Sequence, residues 1–180
     1  MSRIRSKGTK PELAVRRHLF SLGYRFRVNV RTLPGHPDIV LPKYRTVIFV
    51  NGCFWHAHEG CRYYTHPSTN ASFWEAKQQR NRERDAASVQ ALNALQWNVI
   101  TLWECELKKN AFQETMEKLD TAIKANGLEW TRRELERRES RAIYRAERKA
   151  LTERHTAVEK ELKDLYGIPA SVQKLSKTDE

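Results

Sequence analysis

Ten consecutive residues, Gly52-Cys53-Phe54-Trp55-His56-Ala57-His58-Glu59-Gly60-Cys61, place two thiols, two imidazoles and an adjacent pair of large aromatics in one short loop. Cys53, His58 and Cys61 have the spacing Cys-x4-His-x2-Cys. Thiolates with an imidazole suit tetrahedral Zn²⁺, which takes four ligands in a structural role. The only other cysteine is Cys105, so three thiolates and one imidazole would complete a closed centre. The bland alternative is a buried Cys105 and two free thiols in the loop. An odd count of three cysteines rules out a complete set of internal disulfides. His56 is the surplus imidazole.

Asp38 follows the turn Leu33-Pro34-Gly35-His36-Pro37 and leads into Ile39-Val40-Leu41. A carboxylate there, with His56 close by, could hold Mg²⁺ against a phosphate while the imidazole accepts a proton from water. On spacing alone, turn capping after Pro34-Gly35-His36-Pro37 is the stronger reading of Asp38. Many Mg²⁺ nucleases carry a second acid and a lysine on the next strand, but here that strand reads Val47-Ile48-Phe49-Val50. A metal site would have to borrow a backbone carbonyl, a water or Glu12. Glu12 by pattern is the capping-box partner of Thr9. Phe54-Trp55 and Phe73-Trp74 are aromatic pairs in or beside polar segments; such rings either pack in a core or wedge into a distorted base stack.

These groups need elements to position them. Thr9-Lys10-Pro11-Glu12 starts a helix, with Val15, Leu19 and Leu22 on one face and Gly23 as its stop. Phe26 to Val30 alternates as a half-buried strand should. Asp38 to Leu41 and Thr46 to Val50 read as two more strands, the second apolar enough to be central. A long polar helix is expected from about Ala71 to Leu95, then a strand from Trp97 to Leu102. A further helix carries Phe112, Met116, Leu119 and Ile123 on one stripe and is expected to close at Asn126-Gly127. Strands alternating with helices predict an α/β layer fold. We expect a domain over 1–130 and a charged helical extension with a frayed tail over 131–180. In that extension Tyr144, Leu151, Val158 and Leu165 fall seven apart, half of a heptad pattern, as on a solvated helix that packs weakly on a partner.

The chain has 33 Lys and Arg against 22 Asp and Glu and a mean hydropathy of −0.75, a balance that points to a polyanionic partner. Residues 1–130 carry 20 of the basic residues against 12 acidic ones, so the excess travels with the candidate chemistry. The first residues, Met1 to Lys7, lack the apolar stretch of a secretory signal, and no run is long and apolar enough for a membrane span. A cytoplasmic location is expected, without membrane partners, and a reducing compartment suits thiolate ligation.

The chain resembles the very short patch repair endonucleases, the bacterial DNA mismatch endonucleases. The likeness runs through Thr9-Lys10-Pro11-Glu12, Phe26-Arg27-Val28, Leu33 to Asp38, Val47-Ile48-Phe49 and Gly52 to His56. It continues through Phe73-Trp74, Lys77, Asn81, Arg84-Asp85 and Trp103-Glu104-Cys105. The resemblance implies a restriction-endonuclease-like mixed sheet flanked by helices, and an enzyme that nicks one strand beside T:G mismatches left by deamination of 5-methylcytosine. It implies Mg²⁺ on Asp38 and the Val50 backbone carbonyl, His56 as the base, and Glu12 as a supporting residue near the metal waters. Cys53, His58, Cys61 and Cys105 would hold structural Zn²⁺, and Phe54, Trp55 and Trp74 would be the wedge. The partner would be double-stranded DNA bearing the mismatch, met by a monomer, with mismatch-repair proteins as possible further contacts. Some members have histidine where this chain has Asn51, and residues beyond about 131 match nothing in the family. Two rival readings are a zinc-stabilised DNA-binding module without catalysis and a nuclease that recognises an intact sequence.

Overall fold

The computed structural model describes residues 8–167; the amino-terminal segment before Gly8 and the tail expected to fray beyond Gly167 lie outside the described residues. The chain divides into two units, Met1–Thr131 and Arg132–Glu180. The first holds a four-stranded sheet in the order β1 (Arg27–Val28), β2 (Ile39–Leu41), β3 (Thr46–Asn51), β4 (Asn98–Trp103). β1, β2 and β3 pair antiparallel, and β3 pairs parallel with β4. Helix α1 (Lys10–Ser21) precedes the sheet, α2 (Ala71–Ala94) links β3 to β4, and α3 (Phe112–Tyr166) follows it. This is a mixed α/β sheet with flanking helices, consistent with a restriction-endonuclease-like fold.

Successive strand residues point to opposite faces, and the sheet buries both. On one face Ile39, Leu41, Ile48 and Leu102 pack with Val15 and Leu19 of α1 and with Met116, Leu119 and Ile123 of α3. On the other, Val40 and Val47 meet Leu92 of α2, closed over by Phe49, Trp97 and Val99. The helix starts and stops follow local chemistry. Thr9 caps α1, accepting from the Glu12 N–H while the Glu12 carboxylate accepts from the Thr9 N–H, the reciprocal pair read from the sequence. Gly23 leaves that helix at φ +83°, a conformation glycine adopts without steric penalty.

Two expectations need correction. The strand expected over Phe26 to Val30 is reduced to Arg27–Val28, both exposed. Its alternation is real, but Phe26 and Val30 pack against different core clusters from outside the ladder. More consequential, α3 does not close at Asn126-Gly127; it runs on to Tyr166. The glycine serves packing instead of termination. A Cβ at Gly127 would stand 2.6 Å from Cδ1 of Tyr44, so only a residue without a side chain lets the helix pass the ring.

In the second unit the described residues are helical through Tyr166, and Tyr144, Leu151, Val158 and Leu165 are all exposed. Among the described residues no helix is long and apolar enough to cross a membrane.

Candidate active site and metal centre

The chemistry gathers where β3 and β4 end. Asp38 stands immediately before β2, and its Oδ2 accepts a 2.8 Å hydrogen bond from the Val50 N–H on β3. In an extended strand the N–H and C=O of one residue point to the same edge. The Asn51 carbonyl accepts from the Glu104 N–H at 2.9 Å, on the β4 side. One residue back, the Val50 carbonyl must face the opposite edge, toward Asp38. A carboxylate and a backbone carbonyl are thereby aimed at one place by strand geometry alone.

Glu12, almost wholly buried, reaches the same cleft from α1. Its oxygens accept from the Gly8 N–H at 2.9 Å and from Arg16 Nη2 at 2.9 Å, and the same Nη2 donates to the Asp38 carbonyl at 3.1 Å. Glu12 is therefore both the capping residue that its pattern announced and part of the cleft wall. Burial lifts the Asp38 carboxyl above its ordinary range. The Val50 N–H opposes that rise, the Glu12 charge adds to it, and Arg16 and His56 oppose it. Two carboxylates facing one cleft, with one resisting ionisation, form a donor set that a hard divalent cation would relieve.

His56 lines that cleft too, with Asp38, Val50, Asn51 and Glu12, around a volume of about 1000 Å³. Its Nδ1 is hydrogen-bonded to the Asp85 carboxylate of α2, which leaves Nε2 as the other ring nitrogen. Sequence reasoning placed Asp85 within a family motif but gave it no task; a carboxylate on the same helical face as two loop-anchoring amides was the available signal. Those anchors are Gln78, whose amide donates to the Phe54 carbonyl at 2.7 Å, and Asn81, which donates to the Trp55 carbonyl at 2.8 Å. Trp74, Gln78, Asn81 and Asp85 are spaced by four, three and four residues, so they share one face of α2.

Phe54, Trp55 and Trp74 meet in one edge-to-face cluster with ring centroids 5.1 to 5.6 Å apart, and Phe73 extends it, mostly exposed. Lys77 places its ammonium 5.3 Å from the Trp55 and Trp74 ring centres. All three expected wedge residues thus lie together, half-buried, above the polar face of α2.

The thiols converge on the other side of the loop. Ala57 takes a left-handed φ of 45°, between the His56 that meets Asp85 and the His58 that meets the thiols. The ligand atoms of Cys53, His58, Cys61 and Cys105 lie within 4.8 Å of one another. His58 Nδ1 is 3.6 Å from the Cys53 sulfur and 3.5 Å from that of Cys105. A tetrahedral ion with zinc–sulfur and zinc–nitrogen bonds of about 2.3 and 2.0 Å has sulfur–nitrogen edges of about 3.5 Å. The donor set and its spacing fit such a centre. Left to itself Cys53 is a neutral thiol, pushed up to about 12 chiefly by burial; a bound dication would hold it as thiolate. The His58 ring stacks on Trp103, centroids 3.9 Å apart and planes within 3°.

The family model described as DNA mismatch endonuclease Vsr matches residues 1–62. A type II nicking enzyme of Xanthomonas oryzae pv. oryzae is 50% identical over 107 residues, covering 59% of this chain and 78% of the relative. One from Neisseria meningitidis serogroup A is 45% identical over 125 residues, 69% of this chain and 89% of the relative. The DNA mismatch endonuclease Vsr of Escherichia coli is 43% identical over 101 residues, 54% of this chain and 64% of the relative. Half of the 107 aligned residues are identical over 78% of a curated nicking enzyme, and this chain belongs to the Vsr family of DNA mismatch endonucleases and is a hydrolase that acts on DNA.

Proposed function

We propose that this endonuclease nicks one strand of duplex DNA beside a T:G mismatch of the kind left by deamination of 5-methylcytosine, with Mg²⁺ in the cleft and structural Zn²⁺ in the loop. The observation that carries this reading is that His56, oriented by Asp85, lines the same cleft as the Asp38 carboxylate.

With Nδ1 bonded to Asp85, the His56 Nε2 is the nitrogen available to accept a proton. Water adds to phosphorus, its proton passes to Nε2, and the P–O bond to the departing nucleoside oxygen breaks. Asp85 stabilises the imidazolium that results. Asp38 and the Val50 carbonyl would hold Mg²⁺, with Glu12 beside its waters. When bound, that ion supplies positive charge where the phosphate gains negative charge. Cys53, His58, Cys61 and Cys105 would hold Zn²⁺, tying the loop to the end of β4. Phe54, Trp55 and Trp74 would enter the base stack. Unstacking costs a few kcal/mol per step and least at a mispair, which supplies part of the selectivity. The catalytic domain is assigned to 1–130, acting as a monomer, and 131–180 is an appended extension.

The test is incubation with a T:G duplex and its T:A control, with Mg²⁺ or with chelator. Only the T:G duplex with Mg²⁺ should be nicked, and His56→Ala should abolish the nick. Equal cutting of both duplexes would replace mismatch recognition by recognition of an intact sequence. Undiminished cutting by the His56 variant would overturn the mechanism.

A further inference from the structure

Helix α3 pairs its charges along most of its length. Glu114 with Lys118, Asp120 with Lys124, Arg132 with Glu136 and Lys149 with Glu153 are all opposite charges four apart. Between Arg137 and Lys149 that pattern stops. Arg137, Arg141, Arg145 and Lys149 follow one another at strict four-residue spacing, with Arg148 on the same side. Like charges at that spacing repel in a helix. No acidic residue stands three or four positions from Arg141, Arg145 or Arg148, and among the described residues none of the three makes an ion pair. All three are exposed.

The charge is also confined along the helix. Residues 132–149 carry eight Lys and Arg against four Glu, whereas 150–166 carry three against four acidic residues. A solvated helix has no need for a repulsive ridge in one half alone. At 1.5 Å rise per residue the ridge from 137 to 149 is roughly 18 Å long, about the length of five base pairs of duplex. A polyanion of regular charge spacing would turn the repulsion into attraction.

We infer that Arg141, Arg145 and Arg148 form a sequence-independent contact with the phosphate backbone of duplex DNA, a binding surface separate from the cleft residues. It would raise affinity for matched and mismatched duplex alike and let the enzyme remain on DNA between encounters with its site.

The test uses the full-length chain carrying His56→Ala to prevent cutting, without added Mg²⁺, and a matched T:A duplex of about 30 base pairs, long enough to span the ridge several times over. Because the duplex is matched, the result does not depend on mismatch recognition. The triple change Arg141→Gln, Arg145→Gln and Arg148→Gln should weaken binding about 10- to 100-fold at low salt. It should also reduce the slope of log affinity against log salt by about 2 to 3. The triple lysine variant should keep both, since phosphate contact needs charge and not the guanidinium plane. Circular dichroism should show the helix retained in each. Unchanged affinity and slope in the glutamine variant would overturn the inference. So would a glutamine variant that binds DNA as its parent does but differs in oligomeric state by sedimentation, which would assign the ridge to a second copy of the chain.

Discussion

The Nδ1 atom of His56, in the aromatic loop, is hydrogen-bonded to Oδ2 of Asp85, in the middle of α2. The contact joins the candidate base to the helix that also clamps the carbonyls of its two preceding residues. The ring's tautomer and direction are therefore set by α2, not by the loop. Asp85→Asn should lower the single-turnover nicking rate about 100-fold or more, on the scale of a lost general base, with duplex affinity within a factor of about three. The amide can offer an N–H to Nδ1 and so place the ring's own proton on Nε2, the wrong nitrogen. A pH–rate profile that keeps its acidic limb and its height in the variant would remove Asp85 from the mechanism.

Asp38 gives a prediction with a sign. Its carboxyl is lifted above the ordinary value of 3.8, chiefly by burial, so the folded chain holds that proton more tightly than the unfolded chain. Stability therefore falls as pH rises from about 4 through the raised folded value, and the whole penalty applies above it. Asp38→Asn removes the charge and still offers an oxygen to the Val50 N–H. The variant should be inactive yet melt on the order of 2–4 °C higher at pH 7 without divalent ions, an advantage lost below about pH 4. Calorimetry at both pH values decides it, and a lower melting point at pH 7 would contradict the assigned cause.

What could be read in the sequence follows from how local each signal is. The cluster of four candidate metal ligands was legible because three cysteines leave almost no choice of partner, and the capping box because it closes within four residues. Asp38 was legible only as one of two readings, since its hydrogen bond to Val50 depends on the β2–β3 pairing. The task of α2 was hidden for another reason. Helix reading looks for an apolar stripe, and this helix docks on the loop through Gln78, Asn81 and Asp85. Gly127 misled in the same way: glycine near a helix end reads as a stop, and only the ring of Tyr44 explains it otherwise.

That contact reverses a usual expectation. Gly→Ala inside a helix commonly stabilises by about 1 kcal/mol. At Gly127 the new methyl would press on Tyr44, whose ring is held edge-on by Tyr24 at 5.1 Å. Gly127→Ala should destabilise by about 1–3 kcal/mol, as overpacking does. In a Tyr44→Leu background the same change should become neutral or stabilising, so denaturant melts of the four proteins in the cycle should be non-additive. Additive effects would mean the glycine is there for some reason other than the ring.

A metal held by the four candidate ligands would link loop to sheet, because Cys53, His58 and Cys61 come from the loop and Cys105 follows β4. Its removal should loosen the aromatic cluster before it melts the core, since the buried clusters on both sheet faces draw on none of the four ligands. One zinc per chain is expected by elemental analysis. An ion present at about a thousand times its dissociation constant contributes about 4 kcal/mol, so stripping it should lower the melting temperature by about 8–16 °C in a chain of this size. Cys105→Ser should bind zinc more weakly and respond less to chelator, while Cys105→Ala with metal absent should melt close to the stripped parent. If the purified chain holds no zinc and its melting point ignores a strong chelator, the four residues are a thiol cluster and the loop is held by α2 alone.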